Sequence, residues 1–142
     1  ASLLKALQQR SKEAPDAYKQ PIYVGIYQVG PRSRALSGKR IEELAHFPDM
    51  TPEEYIAGQM VYPVDLLEKN IPGFALCEFT IDKEGVILRP HIVRSTHPEF
   101  AEEALRIVKG MPKWAPALVE GKPTDSNYTL YIPFRPQNYR AK

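Results

Sequence analysis

The sequence has few of the residues that crosslink a protein or anchor it in a membrane. Its one cysteine, Cys77, excludes an intramolecular disulfide, and the alternating apolar run around it favours a small buried side chain over a nucleophile. No run of about 18 apolar residues occurs, so nothing in these 142 residues is predicted to span a membrane. Ala1 begins no signal peptide, and we expect any targeting segment to lie outside this sequence.

The sequence also lacks a strong charge of either sign and a cluster of chemically active residues. A net charge of +2, with acids and bases interspersed, argues against nucleic acid as the main partner. The histidines His46, His91 and His97 are too far apart to form a local metal motif, and no motif places a pair of carboxylates for acid–base catalysis. We therefore predict no catalytic residue, no metal site and no cofactor, which favours a binding protein over an enzyme.

Proline is abundant, and its 14 residues are spread along the chain as boundaries between elements. The chain is predicted to consist of an N-terminal extension at residues 1–45, a main domain at 46–136 and a tail at 137–142. In the extension, Ser2–Glu13 is helix-permissive and Pro21–Val29 has the β-branched and aromatic residues of a strand. This strand is either a lead-in that adds to the sheet of the main domain or the tail of an earlier, degenerate copy. Arg32–Arg40 is predicted to be a polar loop, followed by an irregular helical turn at Ile41–Ala45.

Three helices are predicted in the main domain. Thr51–Glu54 combines a capping threonine, a proline for the first turn and a glutamate for a capping box, so a helix begins there and ends near Gly58. A second, short helix is predicted at Pro63–Asn70. The strongest helix opens at Thr96–Glu99 and has one apolar face. The residues of this face are Phe100, Ala104, Ile107, Val108 and Met111.

Three strands are predicted in the same domain. Phe74–Ile81 and Val86–Arg94 are joined by a hairpin connection at Asp82–Gly85, and Tyr128–Phe134 forms the last strand. Because the long helix returns the chain to the other end of the sheet, the last strand is expected to run parallel to the second and beside the first. The predicted fold is therefore an α+β two-layer sandwich, in which a three-stranded antiparallel or mixed sheet carries helices on one face.

Proline positions predict the order of these strands, because proline lacks the N–H that a ladder needs and is confined to edges. Pro90 lies within the second strand and Pro133 within the last, whereas Phe74–Ile81 contains no proline. The Phe74–Ile81 strand is therefore placed at the centre of the sheet and the last strand at an edge. An exposed edge is a template for the addition of a further strand, so the last strand is the predicted binding surface.

A series of short motifs gives the domain a family resemblance. In order, they are Gln59-Met-Val-Tyr62-Pro63, Gly73 before a strand, Ile81–Gly85, His97–Val108, Met111–Ala117, Gly121-Lys122-Pro123 and Tyr128–Phe134. Each motif alone is weak. Together, in this order and over a little more than half of the chain, they resemble the C-terminal domain of TonB in the style seen in Bacteroidetes.

The resemblance implies a periplasmic domain, usually tethered to the inner membrane by an N-terminal helix that these residues do not include. It implies that the domain takes energy from the proton-driven ExbB–ExbD motor and binds the TonB box peptide of an outer-membrane transporter as an added strand. The residues that the resemblance assigns to this peptide are Gln59, Tyr62, Pro63, Tyr128, Thr129, Leu130, Tyr131 and Ile132. Since small sheets with open edges can exchange strands, a second copy of the chain (a homodimer) is a further candidate partner.

Two features depart from the family pattern. Similar sequences often carry a proline near the position of Tyr131, whereas here the proline is Pro133, which removes one backbone donor from the proposed edge. The long proline-rich spacer of transducers is also absent from these residues. The alternative hypothesis is therefore a TonB-like structural or sensory interaction module of an envelope protein, without a role in transport.

Overall fold

The computed structural model describes residues 22–139, so the helix predicted at Ser2–Glu13 lies outside the described residues. The elements in chain order are β1 (Ile22–Val24), β2 (Tyr27–Pro31), α1 (Pro52–Gln59), α2 (Val64–Glu68), β3 (Gly73–Ile81), β4 (Ile87–Ser95), α3 (Pro98–Lys109), β5 (Ala117–Val119), β6 (Lys122–Thr124) and β7 (Ser126–Phe134). A 3₁₀ turn at Pro136–Asn138 follows β7. The three helices and three strands predicted for the main domain are all present.

Five strands form the main sheet in the order β1–β2–β7–β3–β4, and every pair is antiparallel. The predicted class, α+β with helices on one face of the sheet, is confirmed. The predicted count of three strands is wrong, because β1 and β2 extend the sheet beyond β7. β3 holds the predicted central position, and its nine residues pair with β7 from Gly73–Phe134 to Ile81–Ser126.

β4 is the outer strand on one side of the sheet, and its irregular backbone makes it a poor template for a further strand. Its register with β3 shifts twice. Arg89 takes a left-handed conformation at φ +52, and Pro90 follows it without an N–H. Bulges and prolines of this kind protect sheet edges from pairing. The other side of the sheet ends in β1, and β2 covers β7 through only two residue pairs, so part of β7 is left without a strand partner on that side.

The three helices cover one face of the sheet and enclose the core. The β3 residues on this face are at most 1% exposed: Ala75, Cys77, Phe79 and Ile81. The apolar stripe of α3 packs against them, and the Phe100 ring stacks on Phe134 with a centroid distance of 4.1 Å. Burial raises the pKa of the Cys77 thiol to about 12, because the thiolate would lose its hydration. Cys77 is therefore a core residue, as the sequence predicts.

Local chemistry fixes the ends of the core elements. The Thr51 hydroxyl accepts the N–H of Glu54 at 3.1 Å, which is the predicted cap of α1. Gly85, between β3 and β4, takes φ +86, and a Cβ there would lie 2.1 Å from the carbonyl oxygen of Trp114. The Trp114 N–H donates to the Gly85 carbonyl at 2.9 Å. Glycine is thus required at position 85 both for the turn and for the close approach of the following loop.

The segment predicted as one strand over Pro21–Val29 is a hairpin from Ile22 onward. Gly25, at φ +65, occupies the first central position of a two-residue turn, where this conformation favours glycine. We call Ile22–Pro31 the N-terminal hairpin. Its base joins the main sheet through two β2–β7 pairs, Gly30–Thr129 and Pro31–Tyr128.

The tip of the N-terminal hairpin lies over the face of the sheet that the helices leave open. The backbone of Gly25 contacts Arg94 of β4, since a Cβ there would come within 2.5 Å of Nη1. The Arg94 guanidinium in turn lies 5.9 Å from the centre of the Phe74 ring. Leu76 points to the same face and is fully buried. The hairpin therefore covers part of the second face of the sheet.

The chain between the N-terminal hairpin and α1 has the predicted polar loop at Arg32–Arg40, but the helical turn predicted at Ile41–Ala45 is wrong, because those residues are extended or bent. The backbones of Arg34 and Arg40 form an isolated β-bridge. The extended chain after Arg40 pairs with the β5–β6 hairpin and with the loop that precedes β5. The pairs are Glu43–Leu118 and His46–Ala115. The apolar residues of this segment, Ile41, Ala45 and Phe47, are buried in the main core. These residues are not spaced as on one face of a helix, because the segment is an extended chain that runs along the edge of the core.

Candidate functional site

The outer side of β7 consists of the backbone groups that point away from β3. The Asn127 carbonyl accepts the N–H of Arg32 at 3.1 Å, on the side of β2. Phe74, the partner of Pro133, directs its N–H and C=O to Thr96 on the β4 side, so it makes no hydrogen bond to β7. Because alternate residues of a strand direct their backbone groups to opposite sides, the odd-numbered residues from Asn127 to Pro133 point outward.

β2 occupies only the first part of this outer side. Its pairing with β7 ends at Thr129, where Gly30 takes φ +97 and β2 leaves β7. Residues 130–134, which we call the free edge, have no strand partner on the outer side among residues 22–139. The outward groups here are the N–H and C=O of Tyr131 and the C=O of Pro133. The edge of β7 that was expected to be open is therefore covered by β2 up to Thr129. The uncovered part contains Pro133, which has no N–H to donate.

The free edge forms the floor of a groove. Two adjoining cavities of about 400 and 190 Å³ lie along it, and we call them together the edge groove. The residues that line both cavities are Glu53, Tyr131, Pro133 and Arg135. The larger, mostly apolar cavity has one wall from the N-terminal hairpin, formed by Ile22, Val24 and Val29. The smaller cavity is bounded by Ile56 and Ala57 of α1 and by Asn138 and Tyr139.

Two opposite charges lie in this largely apolar groove. Within the described part of the chain, neither Glu53 nor Arg135 forms an ion pair. Burial raises the pKa of the neighbouring Tyr128 to about 12, with a smaller contribution from the charge of Glu53. Burial also raises the pKa of Tyr139, while the charge of Arg135 opposes that rise. Each charge is thus available to a ligand of the opposite sign.

Arg32 holds the base of the N-terminal hairpin against the sheet. Its guanidinium donates to the carbonyls of Gln28 and Gly30, both at 3.1 Å, and to Thr129 Oγ1 at 2.8 Å. It also pairs with the Glu78 carboxylate at 3.4 Å. A planar guanidinium that satisfies several acceptors at once is a specific positioning group. Arg32 therefore fixes one wall of the edge groove relative to its floor.

Three of the residues that the family resemblance assigns to the peptide lie outside the edge groove. Gln59 ends α1, and its carbonyl accepts Arg106 Nη2 at 2.8 Å. Tyr62 is 5% exposed, packs among three aromatic rings and donates its hydroxyl to the Ile71 carbonyl. Burial raises the pKa of Tyr62. Pro63 is the N-cap residue of α2. These three residues lie at the ends of the helices and do not line the groove.

The other five assigned residues lie together on β7, in three different environments. Tyr128 and Thr129 have β2 as their outer partner. Leu130 and Ile132 bury their side chains in the core, at 2% and 0% exposure. Tyr131 lies on the free edge, lines both cavities and directs its two backbone groups outward.

Sequence reasoning misses the walls of the edge groove. The alternation of Ile22 and Val24 predicts a strand, but nothing local indicates which surface that strand borders. Glu53 and Ala57 likewise read as ordinary positions of α1. Among residues 22–139, no group of three or more His, Cys, Asp or Glu side chains could hold a metal ion. In the same residues, no helix has the length and apolar character needed to cross a membrane.

Comparison with known proteins assigns the family. Residues 58–136 match the family described as the C-terminal domain of the TonB protein of Gram-negative bacteria, whose domains are non-catalytic and associated with transport. A solved structure from the molecular characterisation of the TonB2 protein of Vibrio anguillarum is 22% identical, covering 82% of this chain and 92% of that chain with a TM-score of 0.45. The search of curated proteins gave no match. The family match covers more than half of the sequence, and the chain therefore belongs to the TonB C-terminal family.

Proposed function

We propose that this domain binds the TonB box of an outer-membrane transporter as an added β-strand along the free edge of β7. The observation that carries the proposal is the free edge itself, where Tyr131 and Pro133 present one backbone donor and two acceptors between two walls. Strand addition takes affinity from such backbone groups and specificity from pockets for alternate side chains. The bulged β4 edge offers no comparable surface.

In this proposal the domain works in the periplasm and is anchored to the inner membrane by a segment outside this sequence. Through that segment, the ExbB–ExbD motor supplies the proton-motive force that the domain passes to the transporter. Membership of the TonB C-terminal family supports this setting. The same edge offers a second copy of the chain a place to pair, which would give a homodimer that competes with the transporter peptide.

Nuclear magnetic resonance titration of the labelled chain with a synthetic TonB-box peptide tests the binding step. We expect chemical-shift changes at the amides of Leu130–Ile132 and slower hydrogen exchange at the Tyr131 amide. Tyr131→Pro removes the outward donor, and Tyr131→Ala shortens the same side chain but keeps that donor. One backbone hydrogen bond contributes about 0.5–1.5 kcal/mol, so the proline variant should bind about 2- to 12-fold more weakly than the alanine variant.

Two results would contradict strand addition at β7. One is equal affinity of the two Tyr131 variants, both shown to be folded by circular dichroism. The other is a set of shifts confined to β4 or to residues 32–47. Sedimentation at several protein concentrations shows whether a second copy occupies the edge.

Energy coupling needs a separate experiment in cells. The C-terminal domain of a resident TonB is replaced by this chain, and uptake through a TonB-dependent transporter is measured with and without a proton uncoupler. Uptake that requires both the chain and the proton gradient is expected. Peptide binding in solution without such uptake would support the alternative of an interaction module.

A further inference from the structure

We propose that the N-terminal hairpin is itself part of the binding site, and that its apolar wall selects aliphatic side chains at alternate positions of the added peptide. This proposal rests on strand addition at the free edge. It assigns binding roles to Ile22, Val24 and Val29, which precede the segment 58–136 that matches the family.

The register of the hairpin places these side chains on one face. Ile22 pairs with Val29 and Val24 pairs with Tyr27, so side chains of these two pairs lie on the same side of the two-stranded ribbon. The intervening pair, Tyr23 with Gln28, lies on the other side. The face that borders the edge groove therefore carries Ile22, Val24 and Val29, with Tyr27 beside Val24 and outside the cavity lining.

The exposure of this surface indicates that it is not filled by the described part of the chain. Ile22 is 68% exposed although it lines the larger cavity, and Val24 and Val29 are only half-buried. Removing such apolar area from water is favourable, by about 25 cal/mol for each Å². A ligand that places aliphatic groups here gains affinity that the backbone of β7 cannot supply.

The two walls border opposite faces of any strand added to β7. The hairpin tip lies over the open face of the sheet, next to Arg94, whereas α1 belongs to the helical face. Because side chains of a strand alternate between faces, every second peptide residue would meet the hairpin and the others would meet the α1 side. Glu53 of α1 and Arg135, which follows β7, line both cavities.

The two charged side chains of the edge groove favour a ligand that carries charges of both signs. Glu53 and Arg135 line both cavities and form no ion pair among residues 22–139. A ligand therefore satisfies the groove when it is an extended peptide with aliphatic residues on the hairpin side and charged residues of both signs between them. Glu53 and Arg135 are both exposed, so a peptide without those charges would bind without the two ion pairs that the groove offers.

The test uses two seven-residue synthetic peptides of the same composition. The alternating peptide has valine at its second, fourth and sixth positions, lysine and glutamate between the valines, and serine at both ends. The reordered peptide places two valines next to each other and lysine next to glutamate. Both are titrated into the labelled full chain, and affinities are taken from the shifts of the β7 amides. We expect the alternating peptide to bind at least several-fold more tightly.

Two isoleucines of the same hairpin provide matched variants. Ile22→Thr changes the wall of the groove, whereas Ile26→Thr changes the turn, where Ile26 is 86% exposed and lines neither cavity. Since 1.4 kcal/mol corresponds to a factor of ten, loss of the aliphatic contact should weaken binding of the alternating peptide about tenfold for Ile22→Thr. For Ile26→Thr we expect a change below about twofold.

The outcomes separate this inference from the proposed function. Equal effects of Ile22→Thr and Ile26→Thr, or equal affinity of the two peptides, would overturn the role of the hairpin while the β7 shifts still supported strand addition. Shifts of the same amides that depend on protein concentration in the absence of peptide would assign the groove to a second copy and overturn the inference. If neither these peptides nor a TonB-box peptide shifts the β7 amides, strand addition fails as well.

Discussion

Replacing Pro133 with valine should strengthen the binding of any peptide that adds to the free edge. Pro133 lies on the outer side of β7, and its partner Phe74 forms its hydrogen bonds with Thr96 instead of β7. The nitrogen of residue 133 therefore faces the groove. Pro133→Val creates an N–H at this point, keeps an apolar side chain in the groove and suits a strand.

The expected gain follows from one additional backbone hydrogen bond. Such a bond contributes about 0.5–1.5 kcal/mol net, which corresponds to a dissociation constant about 2- to 12-fold lower. Loss of the proline ring also increases the conformational entropy of the unfolded chain, at a cost to folding of about 0.4–1 kcal/mol. This second effect changes the free energy of unfolding and not the affinity of the folded domain.

Two measurements check the Pro133→Val prediction. Hydrogen exchange should show the new amide at position 133 to be unprotected in the free protein and protected once a peptide is bound. Calorimetric titration should show the tighter dissociation constant, with Pro123→Val in the β5–β6 hairpin as a control of unchanged affinity. Protection of the new amide in the free protein would refute the outward orientation of residue 133, and unchanged affinity would refute strand addition beside it.

Three further predictions concern the fold and the groove wall. Gly85→Ala should destabilise the domain by about 2–4 kcal/mol in urea unfolding, since φ is +86 and a Cβ would overlap the Trp114 carbonyl. Gly121→Ala is the control, because φ is +76 but a Cβ there would meet no atom within 4 Å, and it should cost only about 1–2 kcal/mol. Burial raises the pKa of Tyr128 from 10.0 to about 12, so the folded state holds this proton more tightly than the unfolded chain. The contribution of Tyr128 to the free energy of unfolding is fully present below pH 10 and falls by about 1.4 kcal/mol per pH unit as the pH rises toward 12. Tyr128→Phe should remove this pH-dependent contribution. Arg32→Ala should accelerate hydrogen exchange at Gly30, whereas Arg34→Ala should leave it unchanged, and equal exchange in both variants would contradict the positioning role of Arg32.

The elements of the main domain could be predicted from the sequence because each has a local physical signal. Thr51 provides a cap that holds in the structure, and the apolar stripe that begins at Phe100 is buried as its spacing predicts. The absence of proline from Phe74–Ile81 correctly placed β3 between two other strands. These signals depend on neighbours within a few residues, so no tertiary information was needed.

The candidate site could not be predicted in the same way, because its parts come from distant segments. Pro21–Val29 reads as one strand, and only the left-handed conformation of Gly25 turns it into a hairpin. The position of that hairpin depends on Arg32, whose partners Glu78 and Thr129 lie 46 and 97 residues away. The family resemblance assigns Tyr62 to the peptide, but in the structure Tyr62 is packed in the core.

The small number of backbone groups on the free edge indicates where affinity must come from. One donor and two acceptors give at most three hydrogen bonds, or about 1.5–4.5 kcal/mol net. Association costs about 4–15 kcal/mol in translational and rotational freedom alone, before the peptide is ordered. The backbone of β7 therefore cannot hold a peptide by itself, and most of the favourable free energy has to come from side chains buried in the edge groove. The N-terminal hairpin contributes three aliphatic side chains to the larger cavity. A domain that starts after Pro31 should therefore bind the peptide more weakly, although it keeps the entire family match and uncovers the outward groups of Thr129.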